Sequence, residues 1–470
     1  MTGMRRQRQA LRIPRPAVVT WTALFILLLV TTTGWAMEVG TFDLSLRSTT
    51  QFRYAWSDDP ADGTAAMDDD DQDFSQHLGL DVSWKEIGLT FSAMGRYLKD
   101  LDGTPEGSLY QDYTDTYDRR QDFEAYYMYL EKTDLFTDGL NVRAGRQYSY
   151  GAETVHFDGL HVSYEQPDWA GLVVEAFGGR LVQHYTDLTR EEVGGYNLAI
   201  HPTSRLALTL DGVFADNNST EGGLYWQPLE TVQVNARLAF IDDERRFYDI
   251  NSQLLLPCTE TVINVGIYHR YAVDLESDYL FDYTYTLENA LSTKLTSLYL
   301  MQEKPYTDYD FRVSQPIPQS EGLTVYARYT KRVMSNNQED LYNTDFDRVS
   351  AGITLEDWMG LEGFYLDAGY SFWKEDRSVF YEGESSSYYA DLRQALADFE
   401  IGLAFYHKTE DVNSRIEDEA STRYQASLKY RYMDHSWVGL LYQYDEDDFF
   451  DDEFGVSSIN TLTLTLHQEL

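Results

Sequence analysis

Leu140, Val142 and Ala144 alternate with Asn141, Arg143 and Gly145, and after a short loop Leu160, Val162 and Tyr164 alternate with His161, Ser163 and Glu165. A period of two is the signature of an extended strand with one apolar and one polar face. Each run is about as long as a tilted membrane-crossing strand, roughly 9–11 residues. The unit spanning Leu140 to Gly179 recurs to the C-terminus with no helical pattern between the repeats. Such repetition predicts a sheet closed on itself, because backbone groups inside a bilayer have no water to pair with.

The first strand is predicted over Thr41 to Trp56, with Phe42, Leu44, Leu46, Phe52, Tyr54 and Trp56 on one face. A long acidic loop, Ser57 to Asp73, precedes a second strand over Phe74 to Trp84. That strand turns tightly at Lys85-Glu86 into a third, Ile87 to Lys99, and a long loop leads to a fourth, Asp122 to Lys132. Long and short connections continue to alternate, and the pattern gives about 24 strands, within a range of about 22 to 26. The count includes runs at Leu224 to Trp226, Phe281 to Glu288 and Ala290 to Leu300. An even count with this alternation predicts an all-β, antiparallel transmembrane barrel with short periplasmic turns, longer acidic extracellular loops and both termini in the periplasm. A barrel this wide encloses more than the 16–18-stranded porins do, so its lumen holds water, inward loops or another protein.

Residues 1–36 stand apart from this pattern. Arg5, Arg6, Arg8, Arg12 and Arg15 precede the apolar run Ala17 to Val30, and Gly34-Trp35-Ala36 offers a small-x-small cleavage site. The segment is predicted to be a signal peptide, leaving residues 37–470 as one barrel domain. Without it the charge falls from −41 to −46, that is 32 Lys and Arg against 78 Asp and Glu. So acidic a chain excludes nucleic acid as a partner and favours cations or basic proteins. Aromatic residues make up 15% of the chain, which excludes ordinary disorder and suits interfacial girdles facing outer-membrane lipid. The single cysteine, Cys258, excludes a disulfide framework, and no Cys-x-x-Cys-His attaches haem, so no cofactor is expected.

Two sets of charges carry candidate chemistry. Arg47, Arg53, Arg96, Arg143, Arg237, Arg328, Lys429 and Arg431 fall on polar rows and would line the lumen. They would either select anions, as charged rings do in pores, or pair with lumenal acids such as Asp43, Asp81, Asp211 and Asp391. Acidic runs containing Asp68, Asp69, Asp70 and Asp71, and Asp447, Asp448, Asp451 and Asp452, offer oxygens to loop-bound Ca²⁺ or Mg²⁺, or simply keep exposed loops solvated. Neither run has the Asp-x-Asp-x-Asp-Gly spacing of a Ca²⁺ loop. No Gly-x-Ser-x-Gly or His-Glu-x-x-His occurs, and His161 alternates with Gly159 and Ser163 on one strand face, so no enzyme is expected.

The segment Ala144-Gly145-Arg146-Gln147, followed by Phe157-Asp158-Gly159-Leu160, resembles the Gly-Arg-Gln…Phe-Asp-Gly hairpin of outer-membrane porins and alginate-export-like barrels. The length and acidity also resemble the barrel component of porin–cytochrome conduits, which sheathes a multihaem c-type cytochrome. These resemblances imply a bacterial outer-membrane channel for small hydrophilic or anionic solutes, with an electron-transfer sheath and a saccharide-export barrel as alternatives. The last strand departs from the usual signal: Leu462, Leu464 and Leu466 alternate, but Gln468-Glu469-Leu470 follows where an aromatic residue is expected.

Overall fold

The structure, a computed structural model, describes residues 42–57, 70–101, 121–182, 192–215, 217–272, 305–318, 320, 322–335, 345–377, 381–412, 419–448 and 458–469. These form one sheet of 22 strands. In chain order they are β1 Phe42–Trp56, β2 Asp70–Trp84, β3 Leu89–Asp100, β4 Gln121–Lys132, β5 Leu140–Ser149, β6 Val155–Gln166, β7 Leu172–Leu181 and β8 Glu192–Thr203. Then follow β9 Leu206–Phe214, β10 Asn218–Leu229, β11 Val232–Ile241, β12 Glu244–Leu256, β13 Thr261–Arg270, β14 Tyr306–Pro316 and β15 Leu323–Met334. The last are β16 Asp345–Glu356, β17 Phe364–Arg377, β18 Tyr381–Leu396, β19 Phe399–Val412, β20 Glu419–Met433, β21 Ser436–Asp447 and β22 Ser458–Glu469. Every strand pairs antiparallel with its chain neighbours. β1 also pairs with β22, from Arg47↔Glu469 to Trp56↔Asn460, so the sheet has no free edge.

The ring holds 22 strands, at the low end of the expected range. The run at Leu224 to Trp226 lies within β10. The runs at Phe281 to Glu288 and Ala290 to Leu300 lie outside the described residues, as does the proposed signal peptide. The wall closes among the described residues, because β13 and β14 pair directly from Val262↔Ser314 to Arg270↔Tyr306. The alternation of the long connection with a strand pair around it made two extra strands look necessary. Direct pairing of the flanking strands removes that need.

All the long connections leave one end of the barrel, and those at the other end contain no more than seven residues. Both β1 and β22 reach that short-turn end, so the predicted placement of the termini agrees with the topology. At Lys85–Ile87 a single 3-10 turn joins β2 to β3 and closes on Gly88, whose φ of 58° is left-handed. Glycine takes that conformation without a Cβ clash. The acidic loop before β2 is shorter than expected, since Asp70 to Asp73 continue the β1 register from Trp56↔Asp70 to Arg53↔Asp73.

The outward rows are apolar and open. Leu403 is 55% exposed, Leu78 51% and Val349 50%. Exposed apolar surface of this kind, repeated around a ring, is stable only against hydrocarbon. Outward aromatics mark where that band stops. Toward the long-loop end Tyr388, Phe405, Tyr424 and Tyr444 follow one another with ring centroids 5.2–6.3 Å apart. Tyr442, Trp56 and Tyr54 continue the series. Toward the short-turn end stand Phe42 with Trp84, 5.0 Å apart, and Phe399 with Tyr430, 4.7 Å apart. Amphipathic rings at both rims match the interfaces of a bilayer. Among the described residues no helix is long and apolar enough to cross a membrane.

Candidate functional site in the lumen

Register places all eight predicted cations on the inward rows, and it gives six of them acidic partners on neighbouring strands. Arg47 reaches Asp81 at 2.9 Å, Arg53 reaches Asp71 at 2.9 Å, and Arg96 reaches Glu124 at 2.8 Å. Arg143 lies 3.3 Å from Glu131, Arg237 2.7 Å from Asp249, and Arg328 2.5 Å from Asp310. Lys429 and Arg431 make no ion pair among the described residues; Lys429 sits over the Trp437 ring at 4.7 Å. Of the acids expected to serve as partners, Asp81 does so. Asp43 instead engages Lys85, and Asp391 engages Arg393 two residues along its own strand. Asp211 has no cationic partner among the described residues, and one of its carboxylate oxygens is buried without a hydrogen bond. The exposed pairs among these, such as Arg47–Asp81 and Arg328–Asp310, each contribute at most about 1 kcal/mol to stability. Their larger effect is on the lumen, which they line with polar atoms while cancelling most of the predicted positive charge.

The acidic metal candidates separate on the structure. Asp70 and Asp71 are strand residues rather than loop ligands: Asp70 accepts a hydrogen bond from the Tyr54 hydroxyl at 3.1 Å, and Asp71 accepts one from Arg53. Asp447 ends β21, and Asp448 accepts the Ala420 backbone N–H at 2.9 Å. Asp68, Asp69, Asp451 and Asp452 lie outside the described residues. Among the described residues no group of three His, Cys, Asp or Glu is placed to hold a metal ion.

The most elaborate feature is the β5–β6 hairpin, which carries the Gly-Arg-Gln…Phe-Asp-Gly motif; Arg146 and Asp158 share the outward row of Ala144 and Leu160, and Gly145, Gln147 and Gly159 share the inward row. Arg146 donates to both oxygens of Asp158, at 2.8 and 3.0 Å, a bidentate pair that ties the two strands. Gln147 is fully buried and donates to the Gly159 carbonyl at 3.1 Å. Gly145, Gly159 and Gly179 are direct partners across β5, β6 and β7. A Cβ on Gly159 would stand 2.2 Å from the Gly178 carbonyl oxygen, so the motif's glycine permits a backbone approach that other residues would block.

Beyond this knot the hairpin tip, residues 150–154, turns into the barrel. Glu153 reaches past β7 to β11 to pair with Arg246 on β12, and it accepts a hydrogen bond from Ser219 Oγ on β10 at 3.1 Å. Gly151 lies against Asp211, where an added Cβ would come within 3.2 Å of that side chain. On the same inner side Val155, Phe157, Leu181, Val193 and Val213 form a buried apolar cluster, with Phe157 5.1 Å from Phe177. The polar inner row of β6, marked by Ser163 and His161, therefore becomes apolar above Gly159. Sequence reasoning missed that change. Its signal was available, because Val155 and Phe157 share the parity of His161 rather than that of Leu160.

A second inner cluster lies on β15 to β18. The hydroxyls of Tyr326 and Tyr389 lie within hydrogen-bond reach of each other and 3.2 and 3.1 Å from the two Asp367 oxygens, so their two protons are shared among the three contacts. The rings lie over Gly352 and Gly369, whose missing side chains leave room for them along the wall rather than across the lumen. His161 points inward as expected, 3.6 Å from Glu175.

No protein-family model matches the sequence, and no curated protein is similar to it at a significant level. Similarity to solved structures is wide but remote. The chain matches a barrel chain in the structure of the E. coli P pilus tip assembly intermediate PapC-PapD-PapK-PapG at 10% identity and a TM-score of 0.50, over 92% of this chain and 62% of that one. Acinetobacter baumannii OccAB3 matches at 10% identity and 0.45, over 92% and 100% of the two chains. A BenF-like porin from Pseudomonas fluorescens Pf-5 matches at 10% and 0.41, over 93% and 100%. At these identities the likeness extends to the fold alone. The closed ring, the hydrocarbon-facing band and the aromatic rims make this chain a transmembrane β-barrel.

Proposed function

We propose that the protein is an outer-membrane channel that passes small hydrophilic solutes through its lumen. The observation that carries this reading is the inward rows, which stay polar and ion-paired along most of the wall. Paired charges keep such a surface wetted without binding a solute so tightly that it cannot leave. The inward tip at 150–154 supplies the narrowing, and the six paired cations form a hydrophilic lining. Any local attraction for anions would rest on Lys429 and Arg431 near the short-turn end, the two predicted cations without acidic partners among the described residues.

Planar-bilayer recording of the purified full-length protein tests the proposal: steady ionic conductance is expected from the chain alone. A sheath around a haem protein makes the opposite forecast, a barrel that passes no current unless a haem-absorbing partner is co-purified with it. The tip gives a sharper test. Glu153→Ala removes both the Arg246 pair and the Ser219 hydrogen bond, so single-channel conductance should rise by about 1.5-fold or more as the tip leaves the lumen. Unchanged conductance in a correctly folded variant would exclude the tip as the narrowing element.

A further inference from the structure

The inner row that crosses β6 to β11 runs Ser163, Glu175, Asn197, Asp211, Glu221 and Ala239, each directly opposite the next. Asp211 and Glu221 are thus a like-charged cross-strand pair. Like charges at directly opposed positions repel, and a sheet carries them only where something offsets the repulsion. The neighbouring groups do so incompletely. Glu175 has His161 at 3.6 Å, and Arg237 divides itself between Asp249 at 2.7 Å and Glu221 at 3.9 Å. Arg143 also attracts Glu175, and Arg246 is held by Glu153 of the tip. Asp211 is left with none, although it is only 7% exposed and one of its oxygens is sealed from solvent without a hydrogen bond. An ionised carboxylate buried to that degree calls for a positive counterpart.

We infer that Asp211 and Glu221, beside Gly151 of the inward tip, form a binding subsite for a singly charged cationic group, either an alkali ion or the ammonium or guanidinium of an organic solute. The subsite deepens the channel reading and rests on it. Among the described residues no third His, Cys, Asp or Glu is placed to complete a divalent-metal cage. Asn197, directly opposite Asp211 on β8, brings an amide to the same row without adding charge. Because the tip narrows the lumen at this sector, a cation preference here would act on everything that passes.

The test uses the full-length protein and the double variant D211N/E221Q, which keeps side-chain shape and removes both charges. Folding of each is checked by the shift in electrophoretic mobility on heating. In a KCl gradient the unaltered channel should prefer K⁺ over Cl⁻, and the variant should lose about threefold or more of that preference. Spermidine added to one side should block the unaltered channel and block the variant about tenfold more weakly. A changed K⁺ preference alone assigns the subsite to alkali ions, and changed spermidine block alone assigns it to organic cations. If neither differs between the two folded proteins, the inference is wrong. If the unaltered protein passes no current, the channel reading fails by itself, and the subsite is judged by melting. Spermidine should then raise the melting temperature of the unaltered barrel and not that of the variant, and equal shifts would overturn the inference.

Discussion

Gly159→Val should leave most of the protein unassembled. Gly159 stands between Gly145 and Gly179 in the tightest part of the wall, and its missing Cβ would fall 2.2 Å from the Gly178 carbonyl oxygen and 2.7 Å from the Gly179 Cα. These are backbone atoms of β7, which no rotamer change can clear, so β6 and β7 must move apart. Overpacking a close-packed site typically costs about 1–3 kcal/mol, and backbone clashes belong at the upper end. The loss would spread, because separating β6 from β7 also withdraws Arg180 and Phe177 from their places beside Asp158 and Phe157. Gly222→Ala is the control: it lies on β10 with nothing within 4 Å of the added carbon and should assemble normally. The measurement is the fraction of each protein that shows the compact, heat-sensitive band of a folded barrel. Equal fractions for the two variants would show that the glycine row is not what sets the approach of these strands.

Leu403→Arg should have the second large effect, and its neighbour should not share it. Leu403 lies on the outward row of β19, between Phe399 near the short-turn rim and Phe405 near the long-loop rim. That places it close to the middle of the hydrocarbon band. An arginine facing lipid at that depth costs about 2–4 kcal/mol, whereas near the interface the cost falls toward zero. Ala404, one residue on, faces inward opposite Asp391 and Gln425. Ala404→Arg should therefore change unfolding free energy in lipid by less than about 0.5 kcal/mol. Reversible unfolding of both variants in bilayers reads the difference directly. Similar costs at the two positions would contradict the assignment of the faces on which the channel reading depends.

The two faces were legible in the chain because a strand's side chains alternate with a period that no turn can hide. The outward Leu428 and inward Lys429 on β20 follow from their positions alone, as do the aromatic rims and the placement of the long loops at one end. The glycine-bearing motif in β5 and β6 was also visible, although its role was not. A local pattern shows that Gly159 is present and leaves open what approaches it. The strand number, 22 within the expected 22 to 26, is settled by pairing for a related reason. Alternation over Phe281 to Leu300 satisfies the same local rule as a wall strand, and only the pairing of Val262 with Ser314 shows that the ring closes without it.

Charge partners show the limit most clearly. Asp43, Asp81, Asp211 and Asp391 looked equivalent as inward acids, yet one meets Arg47, one Lys85 and one Arg393, while Asp211 meets no cation among the described residues. Which cation reaches which acid depends on the stagger between adjacent strands, and a one-residue slip would exchange every partner. The path of Glu153 to Arg246, 93 residues away, is likewise a property of curvature and closure. Periodicity along the chain thus determined the barrel, its two faces and its orientation, since those follow from local stereochemistry in a bilayer. Only the closed ring decided the strand number, the inward tip and the unbalanced carboxylates beneath it, because each depends on residues brought together by register rather than by sequence.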